Sequence, residues 1–205
     1  MSPESRRGTT GRAYDRGMAA EPPQSLRAVV LVEGTSDAVA VETVAERRER
    51  NLESEGIVVV PIGGAQAIGR FLGLYPQGVK LVGLCDAAEE PEFCRALEAA
   101  GLGTGLTREG LERLGFFICE PDLEGELIRA LGSDAVLEVA EGHGEIDSFR
   151  TLQRQPEWRD RAVDEQLRRW LGSGGSRKIR YARYLVEALD LTAVPRPLDG
   201  VLDAV

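Results

Sequence analysis

Acidic residues close several apolar runs in this chain, and where they stand matters more than how many there are. Glu33 directly follows "AVVLV", with Asp37 four residues on; Asp86 follows "KLVGLC"; Glu120 and Asp122 follow "FFIC", with Glu124 one turn along. Carboxylates gathered on one rim repel one another unless a cation sits between them. Mg²⁺, or Mn²⁺ in its place, takes oxygen ligands and relieves that repulsion. The chemistry this serves best is phosphoryl transfer, in which one or two ions neutralise phosphate charge. Gly34, and Gly63 and Gly64 within "PIGGA", would let the backbone approach a phosphate closely. Taken singly, Asp37, Asp122 and Glu124 also fit the role of helix cap or dipole partner. Glu33 and Asp86 fit it less well, because each ends an apolar run before a helix begins.

Convergence of these acids requires the runs to be neighbouring strands of one sheet. "RAVVLV" (27–32) is short, β-branched and continuously apolar, the pattern of a strand covered on both faces. Further strands are expected in "GIVVVPI" from Gly56, "GVKLVGLC" from Gly78 and "LGFFICE" from Leu114. Between them the pattern predicts a helix over Ser36–Arg50 and a glycine turn opening a short helix in "GGAQAIGRFLGLY". An acidic loop after Cys85 becomes a helix ending at Gly101, and "DLEGELIRALG" follows the last strand. Strands alternating with helices predict an α/β, Rossmann-like domain with a parallel sheet between helices. Such sheets collect ligands outside the carboxyl ends of their strands, where these acids fall. Beyond Ser133 the periodicity is helical, with breaks at Gly142 to Gly144, at Pro156 and at "GSGGS" (172–176). The expected organisation is a disordered tail over 1–25, the α/β domain over 26–132 and a helical C-terminal extension over 133–205.

The 205 residues are 42% hydrophobic and 29% charged, the balance of a globular chain. No apolar run approaches the ~18 residues of a membrane helix, and the arginine-bearing N-terminus has no apolar h-region. A cytoplasmic protein without membrane contact is expected. Cys85, Cys94 and Cys119 are odd in number and lack CxxC spacing, which predicts reduced, mostly buried thiols. The net charge of −9 argues against an unselective polyanion binder, but the average hides a split. Arg150–Arg183 holds ten Lys or Arg against four Asp or Glu, the distribution of a nucleic-acid-facing module or of solvated arginine-rich helices.

The ordered set "VVLVEGTSD", "PIGGA", "LVGLCD" and "EPDLEGEL" resembles the Toprim domain, most closely the form in OLD-family endonucleases, over roughly residues 26–132. The helical remainder resembles the extension that follows Toprim in that family. The resemblance implies Mg²⁺-dependent cleavage of phosphodiester bonds, with DNA as substrate. By position it makes Glu33 a metal ligand or general acid/base, Asp37 a second acid, Asp86 the first aspartate of a D-x-D metal motif, and Asp122 and Glu124 ligands of a second ion. The second aspartate of D-x-D would fall at 88, where Ala88 stands; Glu89 or Glu90 would reach the metal instead through a longer side chain, or else are helix-start acids. The lysine that the family often carries in its terminal helical region corresponds to Lys178, which would steady transition-state charge or grip the backbone, with Arg177, Arg180 and Arg183 beside it as nucleic-acid contacts; the other reading is a glycine-rich loop followed by an ordinary basic helix start.

OLD nucleases join Toprim to an ATPase, whereas this chain has no G-x-x-x-x-G-K-[ST] run, so any ATPase is expected as a separate partner. The sequence leaves the oligomeric state open. Two other readings follow from the same residues. Ala88 fits a nucleic-acid-binding or regulatory subunit that keeps the fold without catalysis, and Asp86 fits a receiver-like phosphoacceptor. His143 reads as a solvated loop residue, and Trp158, Trp170, Tyr181 and Tyr184 read as core residues or base-stacking aromatics.

Overall fold

The computed structural model describes residues 26–205; the tail assigned to 1–25 lies outside them. Four strands, β1 (Ala28–Val32), β2 (Ile57–Pro61), β3 (Lys80–Asp86) and β4 (Phe116–Cys119), form one parallel sheet in the order β2-β1-β3-β4. β1 and β3 occupy the interior of the sheet, and β1 is buried at every residue, which is why its sequence shows no polar alternation.

Successive side chains leave a strand on opposite faces, and the two faces build two cores. Val30, Val32, Val82, Leu84 and Cys119 face the helices α1 (Thr35–Arg47), α5 (Leu123–Leu131), α9 (Gly175–Ala188) and α10 (Arg196–Asp203). Val29, Leu31, Cys85, Phe116 and Ile118 face α2 (Ile68–Leu72), α3 (Glu90–Ala99) and α4 (Arg108–Leu114). The result is the expected three-layer α/β arrangement. The strand that was expected from Leu114 starts at Phe116, because Leu114 closes α4, a helix absent from the sequence reading. Its signals are Thr107, whose Oγ1 accepts the Gly110 N–H at 3.3 Å, and Gly115 at φ 89°. α1 stops at Arg47 rather than Arg50, since Glu49 takes a left-handed φ of 58°.

The C-terminal helices α6 (Ser133–Gly142), α7 (Ile146–Gln153) and α8 (Val163–Leu171), with α9 and α10, share the first core with the sheet. The charged end of α1 secures this packing. Arg47 donates to the Val186 and Leu189 carbonyls, both at 2.7 Å, and Arg50 donates to the Leu202 carbonyl at 2.7 Å. Cations thus stand at the carboxyl ends of α9 and α10, where the helix dipole and the terminal carbonyls favour them. The extension beyond 133 is therefore packed onto the sheet, with α9 lying along α1. Cys85 and Cys119 are buried free thiols, and Cys94 is a partly exposed one. Among the described residues no helix is long and apolar enough to cross a membrane.

Candidate functional site

Because β1, β3 and β4 are adjacent, their carboxyl ends bring Glu33, Asp86 and Asp122 to one rim, and α1 and α5 add Asp37 and Glu124. Glu33 sits where β1 ends. Its carbonyl accepts the N–H groups of Gly63 and Gly64, both at 3.1 Å, so the second strand's loop fixes the backbone of the acid. Its Oε2 is buried with no hydrogen-bond partner. Burial pushes the Glu33 carboxyl above the usual range, and the charges of Asp37 and Glu89 push it further.

Asp37 is 6% exposed, and its Oδ2 accepts the Gly34 N–H at 2.8 Å. Burial raises its pKa, against the opposing pull of Lys178. Asp86 accepts the Leu123 N–H on Oδ1 at 3.2 Å, which ties β3 to the start of α5. Its pKa is pushed up to about 7, first by burial and next by Asp37. Asp122 caps α5: Oδ1 accepts the Gly125 N–H at 2.8 Å, and Oδ2 accepts from Arg168 Nε at 2.5 Å. Glu124, 6% exposed, lies 3.2 Å from Lys178 Nζ. Burial raises Glu124 and Lys178 counteracts it. For Lys178 itself burial works downward, but Glu124 and Asp37 outweigh it and hold the ammonium above the ordinary lysine value.

The cap reading holds for Asp37 and Asp122, since each has one oxygen on a backbone amide; the second oxygen of Asp122 is taken by Arg168. The substitute acids separate. Glu89 contributes to the field at Glu33, whereas Glu90 is bound by Arg108 at 2.6 Å, which also holds the outward-turned Glu120 at 3.0 Å. The glycines do not present free amides to a phosphate: the Gly34 N–H is used by Asp37, and those of Gly63 and Gly64 by Glu33. Arg177 and Arg180 pair with Glu145 at 2.9 and 2.7 Å, and Arg183 pairs with Glu46 and Glu187. Their partners are thus other than the five rim carboxylates. His143 stacks on Tyr184 at 3.6 Å between centroids, while Trp170 and Tyr181 are core.

Sequence reasoning missed Arg168 and its neighbours on α8. The local excess of basic residues was the signal, but it spread over 34 positions and did not single them out.

The donors fit a divalent cation: hard carboxylate oxygens, one of them buried and unpartnered, in a field of mutual repulsion. Among the described residues no three His, Cys, Asp or Glu side chains already surround a common point closely enough to hold a metal. An arriving ion would have to draw them together.

The chain is an α/β protein with acids at the carboxyl rim of a parallel sheet and a lysine from a later helix beside them. Residues 26–87 match the family model described as "Overcoming lysogenization defect protein-like, TOPRIM domain", and the chain carries an OLD-like Toprim domain. Solved C-terminal regions of OLD proteins share the fold. One from Xanthomonas campestris pv. campestris, phased with platinum, is 25% identical, with a TM-score of 0.67, covering 87% of this chain and 91% of that one. The mercury-phased form is 24% identical, with a TM-score of 0.66 and coverage of 88% and 94%. The Burkholderia pseudomallei region is 20% identical, with a TM-score of 0.66 and coverage of 87% and 96%. No match was found among curated protein sequences. An OLD-like Toprim domain supports a role in nucleic-acid processing, and Toprim domains are in general dependent on divalent metals.

Proposed function

We propose that this protein cleaves phosphodiester bonds in DNA with the help of Mg²⁺ or Mn²⁺. The observation that carries this reading is the buried, unpartnered Glu33 Oε2 on a rim that also holds Asp37, Asp86 and Glu124 with Lys178 among them. Such an oxygen costs about 1–3 kcal/mol when left unsatisfied, a cost that binding a cation would recover. Glu33, Asp37 and Asp86 would hold one ion. Asp122 and Glu124 would contribute to a second, with Glu89 as the near substitute at the Ala88 position. Bound there, a divalent ion would supply charge neutralisation and an activated water. Lys178 would meet negative charge developing on the phosphoryl oxygens, and Glu33 would hold or move the proton of the attacking water.

The test is nicking of supercoiled plasmid by the purified chain with Mn²⁺ or Mg²⁺, lost in Glu33→Ala and in Asp86→Ala. Plasmid left intact under every metal condition, with DNA binding retained, would replace this reading with that of a binding subunit. Two observations favour that second reading: Ala88 removes a carboxylate, and Arg168 and Lys178 already neutralise Asp122 and Glu124 from within the chain.

A further inference from the structure

Beside the carboxylate rim a cleft of about 520 Å³ opens between the start of α5 and the helices α8 and α9. Asp122, Glu124 and Lys178 of the rim line it, and Trp158, Arg161 and Arg169, with Glu165, form what we call its outer end. Cleavage at the rim gives the outer end no task. Arg169 has no carboxylate partner among the described residues; its guanidinium lies 5.8 Å from the centre of the half-buried Trp158 ring. Arg161 pairs only with Glu165, at 3.5 Å and with both side chains more than half exposed, a contact easily exchanged for another anion.

The outer wall is nonetheless built rather than incidental. Gln166, 3% exposed, donates from Nε2 to the Trp158 carbonyl at 2.7 Å and to the Arg161 carbonyl at 3.0 Å. Its Oε1 in turn accepts from Gln153 at 2.8 Å. A buried amide thus fixes the backbone of the loop that carries both the ring and the arginine.

Cations flanking an aromatic face, in a groove leading to a phosphodiester-cleaving site, are the components of nucleic-acid strand binding: the cations track phosphates and the ring stacks a base. We infer that this cleft is the track of the DNA strand leading to the carboxylate rim. Arg161 and Arg169 contact phosphates and Trp158 serves as a stacking platform. The inference rests on the cleavage reading above for its direction, but binding can be measured apart from cleavage.

The experiment is fluorescence anisotropy of a labelled single-stranded DNA with the whole chain, without divalent metal, across a salt series. Reversing both charges, Arg161→Glu with Arg169→Glu, is expected to weaken binding at least about tenfold. It should also flatten the logarithmic salt slope by about 1.4, two contacts at about 0.7 each. Arg95→Glu with Arg196→Glu, on α3 and α10 and paired with Glu92 and Glu112, makes the same change in net charge and is expected to bind close to wild type. The milder Arg169→Gln, which keeps a stem against Trp158, should weaken binding without changing the circular dichroism spectrum. Equal affinity of the double variant and wild type, while plasmid nicking persists, would overturn the track and leave cleavage standing. Binding lost in the double variant, with no nicking by wild type under any metal, would uphold the track and overturn cleavage. Displacement of the DNA by polyglutamate at equal charge would overturn it in favour of an acidic protein partner.

Discussion

Lys178 Nζ lies 3.2 Å from Glu124 Oε2, the lysine from the first turns of α9 and the glutamate from the first turn of α5. An ammonium from the C-terminal helices is thereby inserted among carboxylates that the sheet positions. Under the proposed reading Lys178 would compete with a metal for Glu124. We therefore expect Lys178→Met to bind Mn²⁺ at least as tightly as wild type by titration calorimetry, while nicking falls by about 100-fold or more. Weaker metal binding together with lost nicking would make the lysine a purely structural support of the site.

The buried Oε2 of Glu33 has no hydrogen-bond partner, an arrangement that the proposed metal site would account for. Glu33→Gln removes the charge and keeps the shape. In metal-free protein it is expected to raise stability by about 1 kcal/mol, a rise of roughly 2–4 °C in melting temperature for a chain of this size. Nicking is expected to disappear in the same variant. An unchanged or lower melting temperature would show that Glu33 is satisfied in solution.

The rim also sets a pH dependence. Asp86 is pushed up to about 7, and Glu33, Asp37 and Glu124 are raised, by burial first in every case. A carboxyl whose pKa is higher folded than unfolded binds its proton more tightly in the native state. Its contribution is then lost as pH rises through the folded value. Metal-free protein is thus expected to melt several degrees higher near pH 5 than near pH 8, with saturating Mn²⁺ reducing the difference. A melting temperature that rises from pH 5 to pH 8 without metal would contradict the upward shift of these carboxyls.

Glu89 and Glu90 are adjacent in sequence and differ in engagement, Glu90 being held by Arg108. Glu89→Ala is expected to lower metal-dependent nicking, read as a higher Mn²⁺ requirement. Glu90→Ala should leave that requirement unchanged and cost at most about 1 kcal/mol in denaturant unfolding, as a partly exposed ion pair does.

The glycines sort by backbone conformation. Gly64 has φ 111° and uses its N–H to hold the Glu33 carbonyl, so Gly64→Ala should cost about 1–3 kcal/mol and impair nicking together. Gly34, at φ −140°, is extended, and an added Cβ would come no nearer than 3.4 Å, to Asp37 Oδ2. Gly34→Ala should cost less than about 1 kcal/mol.

Much of this arrangement was legible in the sequence. Runs such as "AVVLV" and "KLVGLC" announce buried parallel strands because a strand covered on both faces has no solvent side to require polar residues. An acid closing such a run must stand at the sheet's carboxyl rim. The missing D-x-D partner at Ala88 was equally plain. Less legible was α4, whose sequence "REGLERL" is short and largely charged, so that its apolar stripe rests on Leu111 and Leu114.

The sequence by itself therefore determined the strands and the acids that close them, because burial and alternation are local properties that each segment records. Tertiary structure alone decided which cations meet them. Arg168 reaches Asp122 and Lys178 reaches Glu124 only because α8 and α9 pack against α5, with α9 also lying along α1. It also turned Arg177 and Arg180 toward Glu145, and spent the amides of Gly63 and Gly64 on Glu33. Those pairings depend on distances between segments far apart in the chain, and local periodicity carries no record of such distances.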